Sequence, residues 1–238
     1  MKTKAIIFDK DGTLMDFNAF WIPVTHRSVQ DILQAVGMNS DLAESIFMAL
    51  GVEENIAVIN GILCSGTYAQ MGHAIYLILK EYNCNLCENE VIQIVTEAYH
   101  RNFQFGIVKP ACDHLADVLG KLRNQGLKLA VVTTDDSVTT QKCLQALGIE
   151  SYFDYVYSDN GELPTKPDPY CVHDFCKREN LQLSEVVMVG DTLTDMRFAQ
   201  NGRIKGIGIA KDERNVNILK KEADIIIEDV SYIFEVIK

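Results

Sequence analysis

The chain has 238 residues, 47% of them hydrophobic, and a formal net charge of −11. That length and apolar content suit one large domain or a core carrying an insertion, and the acidic balance opposes nucleic acid or anionic membranes as partners, because their phosphates would repel it. No run approaches membrane-spanning length, the N-terminus shows no basic leader with an apolar stretch, and no fixed-period repeat or low-complexity tract occurs, so a cytoplasmic protein is expected.

The first element is a short apolar run, Ala5-Ile6-Ile7, which reads as a buried strand. It leads into Phe8-Asp9-Lys10-Asp11-Gly12-Thr13-Leu14, so two aspartates stand at its carboxyl end. Open parallel sheets place their ligand sites there. Two carboxylates one residue apart, on a turn opened by Gly12, can share a hard cation while one stays free for covalent chemistry. A solvated D-x-D-G turn is the plain alternative for this motif taken alone.

From about Phe17 to Gln104 the pattern becomes purely helical. Apolar residues recur at three- and four-residue spacing, as in Val29, Ile32, Leu33 and Val36, then Ile75, Leu77, Ile78 and Leu79, then Val91, Ile92, Ile94, Val95 and Ala98. Gly37, Gly51, Gly61 and Gly66 punctuate these segments, with Asp41 and Thr67 as expected caps. Cys84-Asn85-Leu86-Cys87 lacks a second ligand pair at zinc spacing and a preceding strand, so it reads as a turn between helices. Seven cysteines, an odd number scattered along the chain, fit reduced thiols.

After Val108-Lys109-Pro110 the texture changes to alternating strands and helices. Helices are expected over 114–125, 137–147, 168–180 and 194–200, with a further short one before the last strand. Strands are expected over 127–133, near 155–157, and over 186–190, 206–209 and 225–227. Such alternation implies right-handed crossovers, hence an α/β fold with a Rossmann-like, doubly wound parallel sheet. The first strand belongs with this set. The expected domains are therefore a core of 1–16 with 107–238 and an inserted helical block of 17–106.

Three further signals fall at strand ends or in loops of the same core. Strand 127–133 ends in Thr133-Thr134, whose hydroxyls and amides suit phosphate oxygens, although a hydroxyl could equally cap the next helix. Lys166, in Pro-Thr-Lys-Pro-Asp-Pro, is a cation held by a stiff turn, where a lone lysine is commonly a surface charge. Gly190-Asp191-Thr192-Leu193-Thr194-Asp195 brings two more acids, four residues apart at a helix start and so on one face, where acids also serve as helix caps.

In this order and at these positions the four motifs resemble those of the haloacid dehalogenase superfamily of hydrolases, in the phosphoglycolate phosphatase-like branch whose helical cap follows the first motif. The resemblance covers essentially the whole chain. It implies a phosphatase acting on a small phosphorylated metabolite through an aspartyl-phosphate, with Mg²⁺ as cofactor. By it Asp9 matches the nucleophile and Asp11 the general acid/base, Thr133 the hydroxyl of the second motif, Lys166 the lysine of the third, and Asp191 and Asp195 the acids of the fourth. Asp9, the Asp11 carbonyl and Asp191 then suit the metal, with Asp195 in support. Gly12, Thr133, Thr134 and Lys166 suit the phosphate.

Dehalogenases on the same scaffold lack the second acid, so Asp11 argues against that reaction. Phosphonate-cleaving relatives use a cap lysine, and Lys80, the lone lysine of the helical block, sits on a face that reads as solvated. A phosphosugar mutase and a non-catalytic Mg²⁺-binding member stay open. Receiver domains share an acidic pair, a Thr and a Lys, yet carry their phosphorylated Asp after a middle strand. The block holds only Arg27, Lys80 and Arg101 as strong cations, so a neutral leaving group such as a sugar or polyol is expected in place of a carboxylate, which favours an arginine clamp. Phe17, Phe20 and Trp21 could line the cleft between cap and core, or simply pack a hinge, and the loop 64–68 could dip towards the site.

Overall fold

A computed structural model describes residues 2–237. It contains two compact units, one of Met1–Asp16 with Val108–Lys238 and one of Phe17–Ile107. Strand β1 (Ala5–Phe8) opens the first unit, and the chain then completes the whole of the second before returning.

The helical unit holds α1 (Phe17–Ala35), α2 (Ala43–Leu50), β2 (Val52–Glu53), β3 (Ile56–Ala57), α3 (Ile62–Ser65), α4 (Tyr68–Glu81) and α5 (Glu88–Asn102). The periodic residues Val29, Ile32, Leu33, Ile75, Leu79, Val91, Val95 and Ala98 are buried, because a 3.6-residue repeat stacks them on one side of each helix. Helices α4 and α5 pack so closely at Gly72 that a Cβ there would stand 2.7 Å from Ile92 Cα. Thr67 caps α4 as expected, reciprocally with Gln70. Asp41 does not cap: the carboxamide of Asn39 accepts from the Asp41 amide instead, and Asp41 lies in the first turn.

The block is also not purely helical. Val52 pairs with Ala57 and Glu53 with Ile56 in a small antiparallel hairpin. Its turn residues, Glu54 and Asn55, both have positive φ, the backbone that a two-residue hairpin turn demands. Strands of two residues are too short to register as an alternating pattern. The Cys84–Cys87 segment is the turn between α4 and α5, and its cysteines are free thiols.

The α/β unit continues with α6 (Leu115–Asn124), β4 (Lys128–Asp136), α7 (Ser137–Ala146), β5 (Tyr155–Asp159), α8 (Tyr170–Glu179), β6 (Val186–Gly190), α9 (Leu193–Gly202), β7 (Lys205–Ile209), α10 (Glu213–Leu219), β8 (Ile225–Ile227) and α11 (Ile233–Val236). Its six strands are all parallel, in the order β5-β4-β1-β6-β7-β8. This is the doubly wound α/β sheet that the strand–helix alternation implies.

Strand alternation decides which side chains meet which helices. Ile6, Phe8, Leu129, Val131, Val187 and Val189 join α6 residues such as Leu119 and Leu122 in one core. Ala5, Ile7, Ala130, Val132, Val186 and Met188 join Val172 and Phe175 of α8 and Phe198 of α9 in the other. With both faces covered, the strands read as continuous apolar runs, and polar function is left to their ends. The chain runs from β1 to β4 and β5 on one side, then crosses back to β6, β7 and β8 on the other, so the crevice beyond the carboxyl ends of β1 and β6 is the topological switch point.

Candidate active site

The Asp9 amide donates to the Val189 carbonyl at 2.8 Å, which ties the end of β1 to β6. Parallel register sets Phe8 level with both Val131 and Val189, so Thr133 and Asp191 emerge from the neighbouring strands just beyond Asp9. The chain then folds sharply back. The Lys10 carbonyl accepts from the Leu14 and Met15 amides at 2.9 Å each, and the Gly12 amide donates to the Met15 carbonyl at 2.7 Å. Gly12 has φ +83°, and a Cβ on it would fall 2.1 Å from Asp191 Oδ2. Glycine is thus required there for its backbone and for the space it leaves.

Lys166, whose peptide bond to Pro167 is cis, is buried and not a surface charge. Its ammonium donates to Asp9 Oδ1 at 2.5 Å and to Asp195 Oδ1 at 2.6 Å. The other oxygen of Asp195 accepts from the Thr192 amide at 3.0 Å and the Thr192 hydroxyl at 2.7 Å. Asp195 thus serves as the helix cap that acids at this position can supply, and it takes a further part that the sequence did not suggest. It closes the capping box of α9 and it anchors the lysine. Asp191 does not share a helical face with it, because Asp191 precedes the cap residue Thr192, at the end of β6; its Oδ1 accepts from the Thr13 hydroxyl at 3.1 Å.

Carboxylate oxygens of Asp9, Asp191 and Asp195 lie within 4.8 Å of one another. Burial pushes Asp9 up to about 7 against the pull of Lys166, with Asp195 and Asp11 adding repulsion. Burial also raises Asp191 well above the carboxylate range, reinforced by Asp9 and Asp195. Burial alone would depress Lys166, but Asp195 and Asp9 outweigh it and keep the ammonium charged. Three hard oxygen donors with one lysine among them are short of positive charge, and that donor set fits a divalent cation.

The Asp11 carboxyl turns elsewhere. Its Oδ2 lies 2.5 Å from Lys10 Nζ, which also stands 3.2 Å from Asp135 Oδ2. Thr133 is buried and its hydroxyl accepts from the Asp135 amide at 3.2 Å. The hydroxyl-cap alternative for Thr133 and Thr134 does not hold, since Asp136 caps α7 through the Val138 and Thr139 amides. Strand β4 runs three residues past the expected end, with a register shift between Val132 and Asp136. That extension carries Thr134 and Asp135 along the sheet edge.

Sequence reasoning missed Thr13, Thr192, Lys10 and Asp135. The hydroxyls of Thr13 and Thr192 flank motif acids, and hydroxyls beside acids commonly hold them in place. Lys10 had a sharper signal: a lysine between two aspartates, directly after a wholly buried strand, with another acid pair, Asp135-Asp136, at the end of the adjacent strand.

A family model described as haloacid dehalogenase-like hydrolase matches residues 3–203. The chain is 27% identical over 215 residues to a phosphoglycolate phosphatase of Psychrobacter arcticus, covering 88% of this chain and 84% of that one. It is 23% identical over 242 residues to the pyrophosphatase PpaX of Oceanobacillus iheyensis, covering 100% of this chain and 98% of that one. Among solved structures, a predicted phosphoglycolate phosphatase from Haemophilus somnus superposes with a TM-score of 0.74 at 21% identity, covering 99% of this chain and 98% of the other, a likeness of fold. Among the described residues no helix is long and apolar enough to cross a membrane.

Proposed function

The chain belongs to the haloacid dehalogenase-like hydrolases, and from that premise we propose that it is a Mg²⁺-dependent phosphatase of a small phosphorylated metabolite, working through a phosphorylated Asp9. The observation that carries this reading is the buried bridge from Lys166 to Asp9 and Asp195, beside Asp191 at the switch point. The names of the relatives, phosphoglycolate phosphatase and pyrophosphatase, point to the same class of reaction.

Asp9 and Asp191 would hold the cation by their carboxylates and Asp11 by its backbone carbonyl, with Asp195 supporting through Lys166. A bound Mg²⁺ supplies positive charge to the phosphoryl oxygens and favours the ionised form of Asp9. Lys166 adds a second positive charge, and the amides of Asp11 and Thr134, with the Thr133 hydroxyl, would cradle the remaining oxygens; the Gly12 amide expected to join them is taken by the Met15 carbonyl, so Gly12 contributes the turn and the space beside Asp191. Such charge neutralisation and alignment are the main demands of phosphoryl transfer.

In the first half-reaction an oxygen of Asp9 attacks phosphorus, the ester bond breaks, and the leaving alkoxide takes a proton from Asp11. In the second, Asp11 takes a proton from water, whose oxygen attacks the phosphorus and releases phosphate from Asp9.

The leaving group is proposed to be neutral and polar, a sugar or polyol. Within the helical unit Arg101 pairs with Asp31 at 3.2 Å, Arg27 lies over the Phe105 ring, and Lys80 lies over that of Tyr76. Each strong cation of the unit is thus engaged on the unit's own surface, whereas a leaving group with its own carboxylate or phosphate favours a dedicated cation.

The test is phosphate release from 4-nitrophenyl phosphate and from a panel of phosphorylated sugars, polyols, carboxylates and pyrophosphate, with Mg²⁺ and then with EDTA. Mg²⁺-dependent release, best with a sugar or polyol phosphate, is expected. No Mg²⁺-dependent release from any compound would overturn the phosphatase reading. Preference for phosphoglycolate or pyrophosphate would overturn the neutral leaving group alone. Isomerisation of a sugar phosphate without free phosphate would mark the protein as a mutase.

A further inference from the structure

The phosphatase reading assigns a role to every acid of the four motifs but none to the residue between the first two. Lys10 is wholly buried. Burying an ammonium is expensive, and an apolar side chain of similar volume in such a place is often as stable or more so. A lysine retained there needs a reason beyond packing.

Its surroundings supply one. Lys10 Nζ stands 2.5 Å from Asp11 Oδ2 and 3.2 Å from Asp135 Oδ2, with both carboxyl side chains largely buried. Both contacts are within ion-pair distance, so the ammonium sits between the two carboxylates. Asp135 is itself fixed: its Oδ1 accepts from the Asp136 amide at 2.9 Å, and its own amide donates to the Thr133 hydroxyl at 3.2 Å. It reaches this place because β4 continues past Thr133, beyond the register shift that bends the strand. The second motif is thereby connected to the first through a charge contact separate from the one that Lys166 makes.

We propose that Lys10, anchored by Asp135, is a positioning residue that holds one oxygen of the Asp11 carboxyl and so aims this group at the leaving oxygen of the substrate. The proposal rests on the role given to Asp11 above. An aspartate carboxyl turns about two side-chain torsions, and a proton donor that wanders from the leaving oxygen loses most of its effect. Asp135 keeps the lysine in place on its far side, so that the ammonium is shared between two fixed strand ends and does not swing with Asp11.

This role has a signature that mere structural support lacks. A proton donor matters greatly when the leaving group is a poor one and hardly at all when it departs readily as an anion. The measurement is kcat/KM, which reports the steps through phosphoryl transfer to Asp9, for two substrates. One is the sugar or polyol phosphate that the wild type hydrolyses best, the other 2,4-dinitrophenyl phosphate. Lys10→Met is expected to lower kcat/KM for the alkyl ester by roughly 10- to 100-fold, within the span that general acid catalysis supplies, and to leave the dinitrophenyl ester within about threefold. Asp135→Asn, nearly isosteric, is expected to shift the ratio in the same direction by a smaller factor.

Circular dichroism and thermal melting establish that each variant is folded. Should Lys10→Met fail to fold, the ratio for Asp135→Asn decides. Equal losses on both substrates, or no loss on either, in a folded variant would overturn the positioning role while leaving the phosphatase reading intact. A wild-type enzyme that releases phosphate from neither substrate would overturn that reading, and the proposal with it.

Discussion

The two units of the chain bury polar groups in opposite ways. In the α/β unit the buried set includes ionisable side chains, Asp9, Lys10, Lys166 and Asp195, together with the hydroxyls of Thr13, Thr133 and Thr192. In the helical unit the buried polar residues among those described are neutral: Thr25, Ser28 and Asn102. Tyr99 donates to Thr25 at 3.3 Å, and Asn102 donates to the Ala98 carbonyl at 2.9 Å. The difference follows from where each unit ends its elements. A parallel sheet converges its strand ends on one crevice, where backbone amides and opposite charges can offset the cost of burying ions. Helices packed side by side offer no such convergence, so the polar groups buried in their interior are uncharged ones. The first arrangement suits chemistry; the second suits a scaffold.

If that contrast is right, substitutions in the α/β unit change rate more than stability, and those in the helical unit do the reverse. The largest effect belongs to Asp9→Asn, which is expected to abolish phosphate release, by at least ~10³-fold, since a carboxamide is no nucleophile here. Full activity in that variant would sink the mechanism. Asp11→Asn is expected to slow turnover by roughly 10²–10⁴-fold while still allowing a phosphorylated enzyme to form, detectable by intact-mass measurement in a quench.

Gly12→Ala comes next. Its Cβ would meet Asp191 Oδ2 at 2.1 Å on a backbone of positive φ. Displacing Asp191 is expected to weaken Mg²⁺ dependence by about 10-fold or more, the scale on which misplaced supporting residues act, read as a shift in the Mg²⁺ concentration for half-maximal rate.

A third test uses stability. In the metal-free protein burial raises Asp9 to about 7, above its value in the unfolded chain. A raised carboxyl contributes stability at low pH, where folded and unfolded forms are both protonated, and loses it as pH rises through the folded value. Melting temperature in EDTA is therefore expected to fall between about pH 5 and 8. Asp9→Asn should flatten that slope and melt higher than wild type at pH 8. A steeper slope in the variant would refute the assignment.

The smallest catalytic effect is expected in the helical unit. At Gly72 a Cβ would stand 2.6 Å from Ile92 Cγ1 and 2.7 Å from Ile92 Cα. Gly72→Ala should therefore destabilise by about 1–3 kcal/mol through overpacking, seen in denaturant unfolding, with kcat/KM for 4-nitrophenyl phosphate within about threefold of wild type. A large loss of rate on that generic substrate would show that the helical unit shares in the chemistry.

Much of the α/β unit was legible in the chain because its signals are local and strong. A short, largely β-branched apolar run such as 186–189 reads as a buried strand, and the acids, threonines and lysine that follow such runs stand in the turns beyond strand ends. The hairpin of 52–57 was not legible, because it depends on two left-handed turn residues and not on periodicity. Asp41 misled because several polar residues near it could cap equally well, and backbone geometry chose Asn39.

By itself the sequence determined the doubly wound sheet, since hydrophobic period and chain order dictate it, and it led to the expectation of an insertion after the first strand and of Asp9, Thr133, Lys166 and Asp191 at one edge. Only the tertiary structure decided which charges pair. Lys166 bridges Asp9 and Asp195, while Lys10 bridges Asp11 and Asp135. Those partners lie up to 157 positions apart in the chain, and an ion pair is set by register and strand bending in three dimensions, which no local pattern encodes.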